Sequence, residues 1–156
     1  MSINAALIKR GRCNCAALRK ASRRLSQLYD SALAPSGLKS TQFAIFAELE
    51  LRRGEPPTMR DLAKALVMDQ STIGQNLRPL ERDGLISLQQ DASDRRHTCV
   101  KLTKKGRGRL AAARPLWAGA QERFEKFLGT QEAAELRATL LNIAHAPLLN
   151  SDDDGG

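Results

Sequence analysis

Apolar residues recur at helical spacing in the stretch between Asp69 and Gly84. Ile73, Leu77 and Leu80 lie four and three positions apart, which places their side chains on one face of a helix. Aspartate is favoured at the start of a helix, and glycine is common just past its end. We therefore predict one helix over this stretch, with its apolar face buried and its other face in solvent.

The face opposite that apolar stripe is polar. Its side chains are short or planar hydrogen-bond donors and acceptors, namely Gln70, Ser71, Thr72, Gln75, Asn76 and Arg78. Side chains of this kind read base edges in the major groove of double-stranded DNA. We predict that this face contacts DNA. A protein partner is the alternative, although the centre of a protein interface favours aromatic residues, which this face lacks.

The segments on either side of this helix complete a larger pattern. A short helix is predicted just before it, at residues 58–68, where Thr58 and Asp61 have the spacing of a capping box. Two strand-like runs follow it, Leu85–Gln89 and Thr98–Thr103, joined by a polar loop. Helix, turn, helix and hairpin in this order are typical of a winged helix-turn-helix.

The tip of the predicted hairpin carries Asp94, Arg95 and Arg96. An arginine at such a tip can enter a narrow minor groove, where the negative potential of DNA is strongest. Asp94 is close enough in sequence to hold one guanidinium group by a bidentate pair. We predict that all three residues belong to a DNA-binding surface. The alternative is that they are ordinary solvated charges of a loop.

Further helices are predicted on both sides of this lobe. One spans about Asn14–Ala34, and two more span about Lys105–Leu128 and Gln131–Ala146. Another, capped by Ser40 or Thr41, leads into the lobe. The terminal helices contain more leucine and alanine than a small winged helix can bury, so we expect them to form the interface of a homodimer.

This reading divides the chain into four parts. Residues 1–12 are predicted to be a flexible basic arm, residues 35–106 a winged helix-turn-helix DNA-binding lobe, residues 13–34 and 107–148 a helical dimerisation region, and residues 149–156 a disordered acidic tail. The predicted fold is mainly α: a winged helix-turn-helix core with a small β-hairpin wing, flanked by N- and C-terminal dimerisation helices.

The charge of the chain agrees with a polyanionic partner. Its formal net charge is +8 and its pI is about 9.9. Charge alone fits a merely soluble basic protein equally well, so the placement of the cations carries the argument. No apolar run approaches the roughly 18 residues that cross a membrane, and the three cysteines form no disulfide framework. We therefore expect a cytoplasmic protein that does not bind membranes.

Sequence motifs of catalysis are missing. The chain has no phosphate-binding glycine loop, no nucleophile elbow and no zinc-ligand spacing among its cysteines and histidines. We expect no enzymatic activity, no cofactor and no metal.

The chain resembles the MarR-type winged-helix transcriptional regulators over about residues 13–148. The residues that carry this resemblance are Leu62-Ala63, Ser71-Thr72, the run Leu80-Glu81-Arg82-Asp83-Gly84-Leu85-Ile86, Asp91, Asp94-Arg95-Arg96 and Leu102-Thr103-Lys104-Lys105-Gly106. The family implies a homodimer that binds a pseudo-palindromic operator, usually as a repressor, and is often released by a small ligand or an oxidant. By position, Arg96 matches the arginine that enters the minor groove, and Asp94 matches the acid that steadies it.

The resemblance also suggests two kinds of effector. For a small aromatic or phenolic ligand, the candidate contacts are Arg19, Phe43, Phe46 and Trp117. Phe43 and Phe46 are equally compatible with a role in the core. The third alternative is that neither kind of effector acts.

The second kind of effector is an oxidant. Cys15 resembles the reactive cysteine of the organic-hydroperoxide-sensing branch, and Ser22, Arg23 and Tyr29 also match that branch. Arg19 and Ser40 stand where that branch has tyrosines that bond to the thiolate. Arg19 lies one turn from Cys15 and is placed to favour its thiolate form. Cys13 is a possible resolving partner, but two residues at positions i and i+2 of one helix point to different faces.

Overall fold

The computed structural model describes residues 11–147. The acidic tail and all but residues 11 and 12 of the basic arm lie outside the described residues. The elements in chain order are α1 (Asn14–Leu33), a 3-10 turn (Ala34–Ser36), α2 (Ser40–Leu51), α3 (Met59–Ala65), α4 (Gln70–Arg82), β1 (Ile86–Gln90), β2 (Thr98–Leu102), α5 (Lys104–Leu128) and α6 (Thr130–Ala144). The predicted mainly α fold, with a winged helix-turn-helix core, a β-hairpin wing and flanking helices, is confirmed, as is the order of its elements.

Side-chain caps explain where most helices begin. The Thr58 hydroxyl accepts from the Asp61 N–H at 3.1 Å at the start of α3, and Thr103 accepts from the Gly106 N–H at 3.0 Å at the start of α5. The predicted cap of α2 by Ser40 or Thr41 is wrong, because the residue that precedes this helix is Lys39. There the Ser40 N–H donates to the Asp30 carboxylate of α1 at 2.6 Å instead.

The turn between α3 and α4 is tight. α3 ends at Ala65, earlier than the sequence predicts, and Val67 has a φ of 52°. A positive φ is unfavourable for a β-branched residue. The Val67 N–H donates to the Lys64 carbonyl at 3.2 Å, which helps to hold this conformation. The Met68 N–H donates to the Ala63 carbonyl at 2.9 Å, which closes this turn and orients α4.

The two strands form an antiparallel hairpin that is tied to the start of α3. Ile86 pairs with Leu102, and Leu88 pairs with Val100. The Val100 N–H also donates to the Pro57 carbonyl at 2.9 Å, and Thr58 forms a single β-bridge with Cys99. These bonds fix the distance between the wing and the helix-turn-helix.

The core lies mainly within residues 35–106, with Leu33 of α1 and Leu110 and Ala113 of α5 added from the terminal helices. The apolar stripe of α4 is buried as predicted, since Ile73, Leu77 and Leu80 are at most 2% exposed. It packs with Phe46 of α2 and Leu62 of α3, both of which have no exposed surface. The remaining buried members of this core are Leu33, Leu38, Ile45, Leu49, Ala63, Leu85, Ile86, Val100, Leu102, Leu110 and Ala113.

The terminal helices α1, α5 and α6 pack against one another but leave apolar surface uncovered. α1 and α6 each bury one residue, Leu33 and Ala133. Large apolar side chains on these helices remain exposed, namely Leu18, Trp117, Phe127, Leu136, Leu141 and Ile143. Over residues 11–147, no helix is long and apolar enough to cross a membrane.

Candidate nucleic-acid interface

The outer face of α4 is built on a strong helix start. Asp69 accepts from the Thr72 N–H and from the Ser71 hydroxyl, each at 2.7 Å. The hydrogen bonds from Ser71 and Thr72 lower the pKa of the Asp69 carboxyl from 3.8 to about 2. The carboxylate is therefore charged at neutral pH and favourably placed at the N-terminal end of the helix.

The six predicted base-reading residues are not equally available. Gln70, Gln75 and Arg78 are exposed side chains on the surface of the helix. The Ser71 hydroxyl already donates to Asp69, and the Asn76 side-chain amide donates to the Thr72 carbonyl at 2.9 Å. We infer that Gln70, Gln75 and Arg78 are the main candidates for base contacts, since the Ser71 hydroxyl proton and one Asn76 amide proton are already donated within the helix.

The tip of the wing is shaped by its own aspartates. Asp91 accepts from both the N–H and the hydroxyl of Ser93 at 2.9 Å, which forms a tight turn. These bonds lower the pKa of Asp91. Beyond the turn, the His97 N–H donates to the Asp94 carbonyl at 3.0 Å, and the Asp91 N–H donates to the His97 carbonyl at 2.9 Å. The tip is therefore hydrogen-bonded along its length rather than an open loop.

The predicted bidentate pair is present, and the arginine that Asp94 binds is Arg96 rather than Arg95. The Nε of Arg96 donates to Asp94 Oδ1 and its Nη2 to Asp94 Oδ2, both at 3.0 Å. The Arg96 side chain is nevertheless 87% exposed. Hydrogen bonds from Arg96 lower the pKa of Asp94, and the same pair raises the pKa of Arg96. Arg95 is also exposed, but its neighbour is the one that Asp94 orients.

The predicted effector residues are only partly brought together. The rings of Phe43 and Trp117 stack, with centroids 5.7 Å apart. Phe46 has no exposed surface and belongs to the core, so its assignment to a ligand site is corrected. Arg19 is exposed in the first half of α1 and does not line the cavity beside Trp117, to which α1 contributes Leu25 and Tyr29. Tyr29, the polar one of these two, lies about 15 Å along the helix axis from Arg19.

That cavity contains residues that the sequence did not indicate as ligand contacts. It has a volume of about 570 Å³ and is lined mainly by apolar side chains, with Tyr29, Gln121 and Arg137 as its polar members. The Tyr29 hydroxyl donates to Gln121, and Gln121 donates to Glu125 at 3.1 Å. Burial, and then the charge of Glu125, raise the pKa of Tyr29. Three separate helices supply these side chains, so no local pattern in the sequence could indicate the cavity.

The cysteines lie in two places. Cys13 and Cys15 are both exposed at the start of α1, and Cys13 Sγ accepts from the Ala16 N–H at 3.4 Å. Cys13 has extended backbone angles and precedes the helix, so the objection that both residues lie on one helix does not hold. Cys99 on β2 is half-buried, and this burial raises the pKa of its thiol. Within residues 11–147, no group of side chains has the arrangement of a metal site.

Comparisons with known proteins identify the lobe. Residues 38–106 match the family model described as a winged helix DNA-binding domain. The chain is 31% identical over 139 residues to the HTH-type transcriptional repressor NicR of Pseudomonas putida. The aligned region covers 89% of this chain and 84% of NicR.

Solved structures agree with this match over nearly the whole chain. The transcriptional regulator MosR of Mycobacterium tuberculosis, in complex with DNA, is 37% identical with a TM-score of 0.77, over 86% of this chain and 95% of MosR. The repressor CouR, bound to a 23-mer DNA duplex, is 28% identical with a TM-score of 0.77, over 88% of this chain and 96% of CouR. CouR from Rhodococcus jostii also has a structure bound to p-coumaroyl-CoA, with 25% identity and a TM-score of 0.71 over 83% of this chain and 90% of CouR. The chain therefore belongs to the MarR family of winged-helix, DNA-binding transcriptional regulators.

Proposed function

We propose that this protein is a dimeric, sequence-specific repressor that binds a pseudo-palindromic operator. The observation that carries the proposal is the pairing of an oriented, exposed Arg96 at the wing tip with an exposed polar face on α4. The first suits a minor groove and the second the neighbouring major groove. Repression rather than activation is supported by two relatives, NicR and CouR, which are both named repressors.

The uncovered apolar surface of the terminal helices supports a dimer. Phe127 is 84% exposed and lines a cavity of about 540 Å³ with Leu25, Leu28, Phe124 and Leu136. An apolar surface of this kind is costly in water and is usually covered by a partner. If a second copy covers it around a twofold axis, the two α4 helices must lie about 34–36 Å apart to enter successive major grooves on one face of the DNA.

The effector we propose is a small aromatic or phenolic ligand. The cavity beside Trp117 offers apolar walls together with the Tyr29 hydroxyl and the Arg137 guanidinium, which suit an aromatic ring that carries a hydroxyl or an acyl group. CouR, whose solved complex holds the phenolic thioester p-coumaroyl-CoA, makes such a ligand a reasonable first choice. The cavity lies on α1, α5 and α6, so a bound ligand can change the packing between these helices and thereby the spacing of the two lobes.

An oxidant is the second candidate effector. The observation that favours it is the exposure of Cys13 and Cys15, with Cys13 outside the helix. Two accessible thiols so close in sequence offer one that reacts with a hydroperoxide and one that resolves the sulfenic acid as a disulfide, with loss of water. This chemistry requires a change in the first turn of α1.

The first experiment is to recover a duplex of about three turns from a random-sequence pool with the wild-type protein and to follow its binding by fluorescence anisotropy. Recovery of a pseudo-palindrome supports the proposed function. Recovery of no preferred sequence, with no salt-dependent binding to any duplex, overturns it and favours a protein-interaction role.

The same complex tests the effector. Challenge with cumene hydroperoxide should leave the proposed ligand-regulated repressor bound, whereas p-coumarate and related phenols should release it. Release by the peroxide in wild type but not in Cys15→Ser would instead make Cys15 the switch. A Cys99→Ser variant is the matched control, because Cys99 lies on the wing and not on α1.

A further inference from the structure

Two adjoining clefts lie between α3, the start of α4 and the wing. Their volumes are about 310 and 360 Å³. The first is lined by Thr58, Met59, Arg60, Gln70, Arg96, His97 and Thr98, and the second by Thr58, Arg60, Asp61, Lys64 and His97. Because Thr58, Arg60 and His97 belong to both, we treat the two as one surface and call it the α3–wing cleft.

The cleft is held in shape by the backbone. The β-bridge between Thr58 and Cys99 ties the start of α3 to β2, and His97 immediately precedes that strand. Within α3, Arg60 and Lys64 lie four positions apart and therefore on the same face of the helix. The side chains that line the cleft are consequently close to one another before any ligand binds.

The charges in the cleft favour an anion. Arg60 and Lys64 are exposed cations of α3. Asp61 is the acid on the same helix, and its Oδ2 already accepts from the Thr58 N–H at 3.2 Å and from the Thr58 hydroxyl at 2.9 Å. Hydrogen bonds from Thr58 lower the pKa of Asp61, so this carboxylate stays ionised. Two cations against one acid still leave this face of α3 with an excess of one positive charge.

The wing side of the cleft adds an ion pair and a histidine. Asp94 is committed to Arg96, and together the two groups carry no net charge. His97 Nε2 lies 3.5 Å from Asp94 Oδ2 on the wing side. Arg60 and Lys64 are therefore the cationic groups that a ligand of the cleft would meet on α3, against the single acid Asp61, with His97 on the wing side.

The position of the cleft points to one ligand. In duplex DNA a sugar-phosphate strand separates each major groove from the next minor groove. The docking proposed above places Gln70 and the rest of α4 in a major groove and Arg96 in an adjacent minor groove. The cleft has Gln70 on one wall and Arg96 on another, so it must straddle that strand.

We propose that Arg60, Lys64 and His97 bind a backbone phosphate of the strand that runs between the two grooves. This inference rests on the proposed function, since it requires that α4 and the wing engage the same duplex. Phosphate contacts of this kind set the register of a protein on DNA and carry no sequence information. The role of the cleft is therefore to fix the angle at which α4 and Arg96 enter their grooves.

The test compares Arg60→Ala and Lys64→Ala with wild type on the selected duplex and on an unselected duplex of equal length, over a range of salt concentrations at pH 8. Each variant should weaken binding to both duplexes by about the same factor and reduce the magnitude of the salt slope by about 1. His97→Ala should weaken binding to both duplexes by the same factor, because a phosphate contact carries no sequence information. Both α3 side chains are exposed, so thermal melts should match wild type.

Arg53→Ala is the matched control, since it removes a 66% exposed arginine of the same lobe that does not line the cleft. Its salt slope should equal that of wild type. The inference is overturned if the cleft variants match Arg53→Ala, or if they change the preference for the selected duplex. Absence of salt-dependent binding in wild type is a separate result, which removes the proposed function itself.

Discussion

Asp94 holds Arg96 at the tip of the wing by three hydrogen bonds. Two join the carboxylate to the guanidinium group and one joins it to the Arg96 N–H, all at 3.0 Å. The side chain is thus oriented while it remains 87% exposed. An arginine that is ordered before binding loses less conformational freedom when it enters a groove.

We predict that Arg96→Ala weakens binding to the selected duplex by about ten- to a hundredfold. Asp94→Ala should also weaken it, although this change removes a negative charge from a surface that faces DNA. The two effects should not be additive: in the Asp94→Ala background, Arg96→Ala should cost much less than in wild type. Fluorescence anisotropy at one salt concentration measures all four proteins.

Arg95→Ala is the control for this cycle, because Arg95 is the neighbouring exposed arginine. Its effect should be the same with and without Asp94. If removal of Asp94 tightens binding to the selected duplex, repulsion outweighs orientation, and the proposed role of the pair is wrong.

A second prediction concerns Asp69, which caps α4. Asp69→Ala should lower the melting temperature by a few degrees at neutral pH, since it leaves the Thr72 N–H without its cap. The pKa of Asp69 is about 2 in the fold against an ordinary value of 3.8. Because the pKa is lower in the folded protein, the carboxylate stabilises the fold at pH values above the ordinary pKa. This contribution is lost as the pH falls from the ordinary pKa toward the pKa in the folded protein.

Thermal melts of both proteins between pH 7 and pH 2 test this sign. The difference in melting temperature should be constant down to about pH 5 and shrink below about pH 4. Asp83→Ala is a suitable comparison, because Asp83 follows the end of α4 and caps no helix start. A difference that grows toward low pH would contradict the assignment.

Local patterns explain why much of this protein is predictable from sequence. The stripe of Ile73, Leu77 and Leu80 depends on helical period alone, and all three are buried. The Asp94–Arg96 pair joins residues two positions apart, so the chain between them brings them together. Each of these features is fixed by neighbours in the sequence.

Features set by distant contacts were missed. Phe43 and Phe46 lie on the same helix, yet Phe46 is in the core while Phe43 stacks on Trp117 of α5. Helical spacing alone does not decide between these positions, because the choice depends on what packs against α2. The start of α2 likewise depends on Asp30, ten positions earlier on α1.

A third prediction concerns Gly106 in the first turn of α5. A Cβ at this position would collide with the backbone carbonyl oxygen of Leu85. Gly106→Ala should therefore destabilise the protein by about 1–3 kcal/mol, because backbone must move to relieve the contact. This close approach gives a physical reason for the glycine at the end of the run Leu102-Thr103-Lys104-Lys105-Gly106.

Gly108→Ala provides a control of opposite sign. Gly108 lies two positions further along α5, where an added Cβ meets nothing within 4 Å. Alanine should stabilise the helix there by up to about 1 kcal/mol. Urea denaturation of both variants measures the two effects, and equal destabilisation by both would show that the carbonyl contact is not the cause.

The last prediction compares two exposed apolar side chains on different surfaces. Phe127 on α5 and Leu51 at the end of α2 are almost equally exposed, at 84% and 83%. Phe127 lines the apolar cavity between α1, α5 and α6, whereas Leu51 borders a polar groove beside the wing.

If the apolar surface of the terminal helices is the dimer interface, Phe127→Glu places a charge inside it, and the desolvation of that charge opposes association. The dissociation constant of the dimer should rise at least about tenfold, as it does for a residue central to an interface. Leu51→Glu should leave it unchanged. Sedimentation equilibrium over a concentration series measures both, and Phe127→Glu should also weaken binding to the pseudo-palindromic duplex, because two linked lobes bind it more tightly than one. A Phe127→Glu protein with the same assembly state as Leu51→Glu would mean that the second copy, if there is one, lies on a different face.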